Sequence, residues 1–287
     1  MNQKSEGSQI DLSESLQSGQ TDEPQNMPRS SVNQIPIRAI NVSDVIDSIG
    51  DGLQDLKRAP QYGLAFGGFY AVAGWVLLAA IFSFDLDLYA FPIATGFALV
   101  APFVAAGCYE VSRRLQAGKA LTWGGVLGAV RSAGGNDLNW MAVVTVFAYI
   151  IWLDIAMALY VIFFGLNPLN LTHLVSAVFT TLPGAAFFVI GGTVGAVLSL
   201  VVFSITAISF PILFERQIDF VTAMITSVRS VKANPKAMVV WGIIIGVSMG
   251  ISILSVFLAL IVVLPVLGHT TWHLYRRIIG PPDAKTA

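Results

Sequence analysis

Every lysine and arginine of this 287-residue chain falls into one of four clusters, and long apolar stretches without basic residues separate them. The first cluster holds Lys4, Arg29, Arg38, Lys57 and Arg58, and the second Arg113, Arg114, Lys119 and Arg131. The third is Arg216, Arg229, Lys232 and Lys236, and the fourth Arg276, Arg277 and Lys285. Basic residues beside membrane helices stay on the cytoplasmic side. Between clusters the chain has room to cross a ~30 Å hydrocarbon core and return. Each interval therefore reads as a membrane hairpin. Three hairpins give six transmembrane helices with both termini cytoplasmic. The first outer turn is acidic, through Asp85 and Asp87.

Composition agrees. The chain is 55% hydrophobic and only 11% charged, against roughly 25% charged in soluble domains, and its mean hydropathy is +0.73. A net charge of −1 excludes the basic face that a nucleic-acid binder needs. One cysteine, Cys108, excludes an intramolecular disulfide and any Cys-rich metal centre. Residues 1–35 are rich in Ser, Gln, Asn and acids, and are expected to form a disordered tail. They lack the apolar core of a signal peptide.

The apolar segments run from Tyr62 to Phe84, Tyr89 to Cys108 and Trp140 to Phe164. Leu174 to Phe214 is too long for one crossing, and Pro183-Gly184 interrupts it. The expected arrangement is a re-entrant or interfacial piece within residues 172–185, then a membrane helix from about Ala186. Ala237 to Tyr275 would measure ~60 Å as one helix, so two short helices turning near Ile253–Ser255 are expected.

The cytoplasmic segments resemble one another. Val130-Arg131-Ser132 precedes Asn136 as Val228-Arg229-Ser230 precedes Asn234. Asp44, Lys57 and Pro60 share their intervals with Asp219, Lys232 and Pro235. Pro102 stands before Arg113-Arg114 as Pro265 stands before Arg276-Arg277. The expected fold is an all-α polytopic membrane protein of three parallel repeats, each an amphipathic cytoplasmic helix followed by a membrane hairpin. The units are 36–118, 119–217 and 218–280, with a short cytoplasmic tail at 281–287. The alternative is three ordinary basic loops that look alike. The first amphipathic helix shows Val42, Val45, Ile46, Ile49, Leu53 and Leu56 at helical spacing, with Ser43 or Asp44 placed to cap it.

The stretch Gly268-His269-Thr270-Thr271-Trp272-His273-Leu274-Tyr275-Arg276-Arg277 resembles the closing signature of an uncharacterised proteobacterial integral-membrane family, domain of unknown function 2189. Ser209-Phe210-Pro211-Ile212-Leu213, Asn234-Pro235 and Gly107-Cys108-Tyr109-Glu110-Val111-Ser112-Arg113-Arg114 resemble it too. The resemblance covers roughly residues 36 to 280. It implies a bacterial inner-membrane location and no assigned activity.

Few polar residues could carry chemistry. Asp154 lies ~21 Å beyond Trp140 at ~1.5 Å per residue, at hydrocarbon depth, where an acid is a functional candidate by default. Its alternative is a neutral acid tied to a neighbouring helix near the outer interface. His269 and His273 sit four apart, a spacing that suits a metal. The repeat aligns Glu110 with His273, and a pseudo-threefold axis would gather Glu215 as well. These are weak metal candidates, because His, Trp272 and Tyr275 suit a lipid-headgroup belt equally well. Lys57, Arg58, Arg113, Arg114, Arg229, Lys232, Arg276 and Arg277 are candidates for lipid-headgroup or partner contact. No Ser-His-Asp set shares a compartment, since His173 lies on the outer side, and no cofactor is called for.

Two functions follow. The first is a non-catalytic organising or accessory protein, not an enzyme, that contacts the lipid bilayer and either a membrane-protein partner or further copies of itself. The second is a small-solute channel or transporter using Asp154 and the helix-breaking Pro102, Pro211 and Pro265.

Overall fold

The computed structural model describes residues 35–84, 90–133, 136–166 and 171–281, and the regular structure among them is entirely helical. The expected tails, apart from residues 35 and 281, lie outside the described residues, as do Asp85 and Asp87. Eleven helices follow: α1 (Val42–Arg58), α2 (Pro60–Ser83), α3 (Ala90–Gln116), α4 (Trp123–Ala133), α5 (Asn136–Phe164), α6 (Leu171–Thr180), α7 (Leu182–Thr206), α8 (Ser209–Glu215), α9 (Phe220–Ala233), α10 (Pro235–Leu254) and α11 (Leu260–Ile279). Among the described residues four stretches are long and apolar enough to cross a membrane: Pro60–Ser83, Asp137–Phe164, Leu182–Glu215 and Pro235–Leu254. α3 and α11 are as long, but end in charged residues.

The breaks have local causes. Thr181 caps α7, its hydroxyl oxygen accepting from the Gly184 amide at 3.1 Å, and Pro183 sits in the first turn, where its missing N–H costs nothing. α6 is thus a separate short helix folded onto α7, as the Pro-Gly interruption predicts. α10 and α11 are joined by residues 255–259, close to the expected turn. Val256 and Phe257 there take left-handed φ angles of 52° and 64°, which a β-branched or bulky residue rarely adopts. The turn is held from α2: the Trp75 indole N–H donates to the Val256 carbonyl at 2.7 Å. Phe257 packs on Phe97 at 5.6 Å between ring centres, and Phe97 stacks on Tyr70 at 4.1 Å.

α1 forms where its periodicity places it, with a different cap. Neither Ser43 nor Asp44 is the N-cap. Asn41 is, with Asp44 in the third helical position accepting from the Asn41 amide at 2.7 Å. The apolar stripe divides: Val45 is buried and Ile49 half-buried, while Val42, Ile46 and Leu53 are exposed.

α11 is the hub. It packs along α1, α2 and α3, antiparallel to the first two and parallel to the third, because small residues let backbones approach. A methyl group on Gly52 of α1 would stand 2.8 Å from the Thr270 nitrogen, and one on Gly67 of α2 would collide with the Ile261 carbonyl. The core sits at the basic end of the bundle, where Tyr109, Ile208, Ile212, Trp241, Trp272, Tyr275 and Ile278 are buried. From Val146 onward α5 buries no residue. Residues 35–41 close this end: the Arg38 amide donates to the Ile278 carbonyl at 2.8 Å, and Asn234 holds the Ile40 amide and the Arg38 carbonyl at 2.7 and 3.2 Å.

The chain passes from α1 to α2 and from α9 to α10 by the same means. A single residue, Ala59 or Asn234, adopts φ and ψ of −136° and 54° or −129° and 50°, and a proline opens the next helix.

Candidate functional site

A polar seam lies where α1, α3 and α11 meet, and each helix supplies a pair of side chains four residues apart. Such pairs share one helix face. α1 contributes Asp51 and Asp55, α3 Ser112 and Gln116, and α11 His269 and His273. His273 Nε2 stands 2.7 Å from Asp55 Oδ2, His273 Nδ1 stands 3.1 Å from Gln116 Nε2, and His269 Nδ1 stands 2.8 Å from Ser112 Oγ.

The hydrogen-bond network assigns the His273 tautomer. Gln116 Oε1 accepts from the Trp272 indole N–H at 3.1 Å, which turns the amide NH2 toward His273 and makes Nδ1 the acceptor. The His273 proton is then on Nε2, donated to Asp55. His269 Nε2 is buried without a hydrogen-bond partner among the described residues and lies toward the Gly63 position on α2. Burial pulls the Asp55 carboxyl upward, but the hydrogen bonds from His273 and Ser112 outweigh it and hold it below its ordinary value.

Ion pairs frame the seam. Arg277 donates to Asp51 at 2.7 Å and to the Asp44 carbonyl at 2.6 Å. The buried Glu110 carboxylate is clamped by Arg113 at 2.7 Å and Arg114 at 2.6 Å, and Arg114 reaches on to the Ala120 and Gly125 carbonyls. Glu215 accepts from Tyr275 and from Arg276 at 2.5 and 2.8 Å. Arg113, Arg114, Arg276 and Arg277 therefore each pair with a carboxylate inside the protein. Lys57, Arg58 and Lys232 are exposed, and Arg229 is half-buried on α9.

The metal candidates are not assembled. His269 and His273 face Ser112 and Asp55, whereas Glu110 faces its two arginines. Among the described residues no group of three or more His, Cys, Asp or Glu is placed to hold a metal. Of His173, only the place in α6 is described. Asp154 is exposed on α5 and forms no ion pair with a described residue.

Two hollows remain. A polar crevice of about 640 Å³ at the basic end is bordered by Arg113, Asp137, Glu215, Arg216 and Asp219. Most of its charges are engaged: Asp137 accepts from the Phe220 amide at 3.2 Å, and Asp219 caps α9 through the Thr222 amide at 2.9 Å. An apolar groove of about 710 Å³ runs between α3, α5, α7, α10 and α11. Pro102 borders it; Asp154 does not.

The sequence signal for the seam is partial. The histidine spacing is visible and Ser112 falls within a motif that resembles the family, but no sequence pattern singles out Asp55.

Long apolar helices around buried charge clusters define an integral membrane protein. Residues 90–215, from the start of α3 to the end of α8, match the model of the family described as "Predicted integral membrane protein (DUF2189)". The match is shorter than the 36–280 suggested by the motifs, and the Gly268–Arg277 stretch lies outside it. No curated protein and no solved structure matches the chain.

Proposed function

We propose that this protein organises or assists a partner complex in the membrane and carries out no chemistry of its own. One observation carries this reading. The polar side chains at the basic end are bonded to one another, while the three short helices there turn apolar residues outward. On α1 these are Val42, Ile46 and Leu53, on α4 Trp123 and Leu127, and on α9 Val221 and Ile225. Amphipathic helices of this kind lie at a bilayer surface or against another protein. Exposed Lys57, Arg58 and Lys232 beside them suit lipid phosphates.

In this reading α2, α3, α5, α7, α10 and α11 are the six membrane helices, α1, α4 and α9 the cytoplasmic ones, and the bilayer a bacterial inner membrane. The like junctions at Ala59 and Asn234 support three repeated units. Reporters fused after Phe84, Asn167 and Ser255 should be active outside the cytosol. A reporter active only in the cytosol at any of them removes the six-pass arrangement.

Affinity purification of the tagged protein is expected to recover a stoichiometric membrane partner or further copies of the chain. Ile46→Glu with Leu127→Glu should release it. Recovery unchanged by these substitutions would sink the docking role. The transporter reading draws on the groove and on Pro102. The position of Asp154 away from the groove removes its acid from any solute path there. Solute-specific loss of uptake in a deletion strain, rescued by the parent protein but not by Asp154→Asn, would restore that reading.

A further inference from the structure

The docking role makes no use of the groove between α3, α5, α7, α10 and α11. Its volume of about 710 Å³ lies within the roughly 300–1,000 Å³ of small-molecule sites. Pro102, Phe147, Leu198, Ile245 and Met249 are among its walls. The hydroxyls of Thr206 and Thr271 at its border are spent on their own helices, donating to the Val202 and Leu267 carbonyls at 2.8 and 2.7 Å. Ser199, Tyr109, Tyr149, Trp152 and Trp241 add a few polar atoms, but the lining is predominantly apolar, so a polar ligand would find little to bond. A water needs two to four polar partners, so water does not fill such a space. An empty one would forfeit dispersion contacts along its whole lining.

What stands outside the opening decides the occupant. At one end of the α7–α10 boundary Phe203 faces Gly242. Farther along α10, a methyl placed on Gly246 or Gly250 would meet nothing within 4 Å. The rim residues Phe147 and Val201 are 63% and 49% exposed. The α7 and α10 walls of the groove belong to the apolar spans Leu182–Glu215 and Pro235–Leu254, so an opening between them faces hydrocarbon. The molecules on that side are acyl chains, which are narrow, flexible and in need of no hydrogen bond.

We propose that the groove binds one acyl chain of a bilayer phospholipid, entering sideways between α7 and α10. The site depends on membrane insertion and not on whether a partner docks.

The test places a benzoylphenylalanine photo-crosslinker in the full-length protein in native membranes, either at Ile245 in the groove or at Ile243, exposed on the outer side of α10. Irradiation should give adducts of phospholipid mass at both. Ser199→Trp, filling the facing wall, should cut the Ile245 adduct several-fold and leave the Ile243 adduct unchanged. No phospholipid adduct at Ile245, an adduct of another apolar molecule there, or a yield untouched by Ser199→Trp would each overturn the proposal. Where Ser199→Trp fails to fold, Gly195→Leu replaces it. A native mass spectrum of the unaltered protein without bound phospholipid overturns the proposal as well.

Discussion

His273 of α11 and Asp55 of α1 meet at 2.7 Å, and through that contact α11, which packs along three other helices, is tied to the first described helix. The Asp55 side chain is only 5% exposed, so its hydrogen bonds are little screened by solvent. Asp55→Asn should destabilise the protein by about 1.5–3 kcal/mol, the usual worth of hydrogen bonds to a charged group, read by thermal unfolding in detergent. An Asp55→Asn protein as stable as the parent would show that the pair contributes nothing.

The same contact sets a pH dependence. The Asp55 carboxyl is held below its ordinary value of 3.8, so the folded state favours the ionised form. Its contribution is complete above that value and is lost as pH falls through the lower folded one. Acid unfolding of the parent should steepen below about pH 4, and Asp55→Asn should remove that part of the slope. Equal slopes in both proteins would contradict the assignment.

Gly50 and Gly52 lie on the same helix and should respond oppositely. Space around Gly50 is open, so Gly50→Ala should be neutral or stabilise α1 by up to ~1 kcal/mol. Gly52 lies against the Thr270 backbone, and Gly52→Val should cost about 1–3 kcal/mol by overpacking. Thermal unfolding of the two variants side by side checks this. Similar shifts in both would mean that α1 does not pack on α11 through Gly52.

Asn234 bonds two backbone groups of residues 38–40. Asn234→Ala leaves both without that partner and should cost about 1–3 kcal/mol. Hydrogen exchange should rise at Ile40 more than in α5. An unchanged Ile40 amide would refute the tie.

The α10–α11 turn carries its own strain. Val256→Gly removes a left-handed β-branched residue and should stabilise by about 1 kcal/mol or more. Trp75→Phe removes the indole donor and should destabilise by about 0.5–1.5 kcal/mol. Opposite signs in thermal unfolding are expected; equal signs would reject the strained turn.

Local features were legible in the sequence because their causes are local. Pro183 and Gly184 mark the break before α7, and an uncharged run too long for one crossing marks the turn after α10. The stripe of α1 follows from spacing alone. The burial of α11 does not. His269, Trp272 and Tyr275 read as a headgroup belt because polar and aromatic residues at a helix end usually face the interface. Here Gly52, Gly63 and Gly268 bring three helices close enough to enclose them, and that closeness is a property of distant segments. The partners of the arginines were hidden for the same reason: the carboxylates that pair with Arg276 and Arg277 come from α8 and α1, far away in the sequence.

The central place of α11 has a bearing on biogenesis. It leaves the ribosome after every other described helix, yet α1, α2 and α3 all lean on it. The faces of α1 and α2 that carry Gly52, Gly63 and Gly67 therefore stay uncovered until α11 has been made, and this part of the core can close only then.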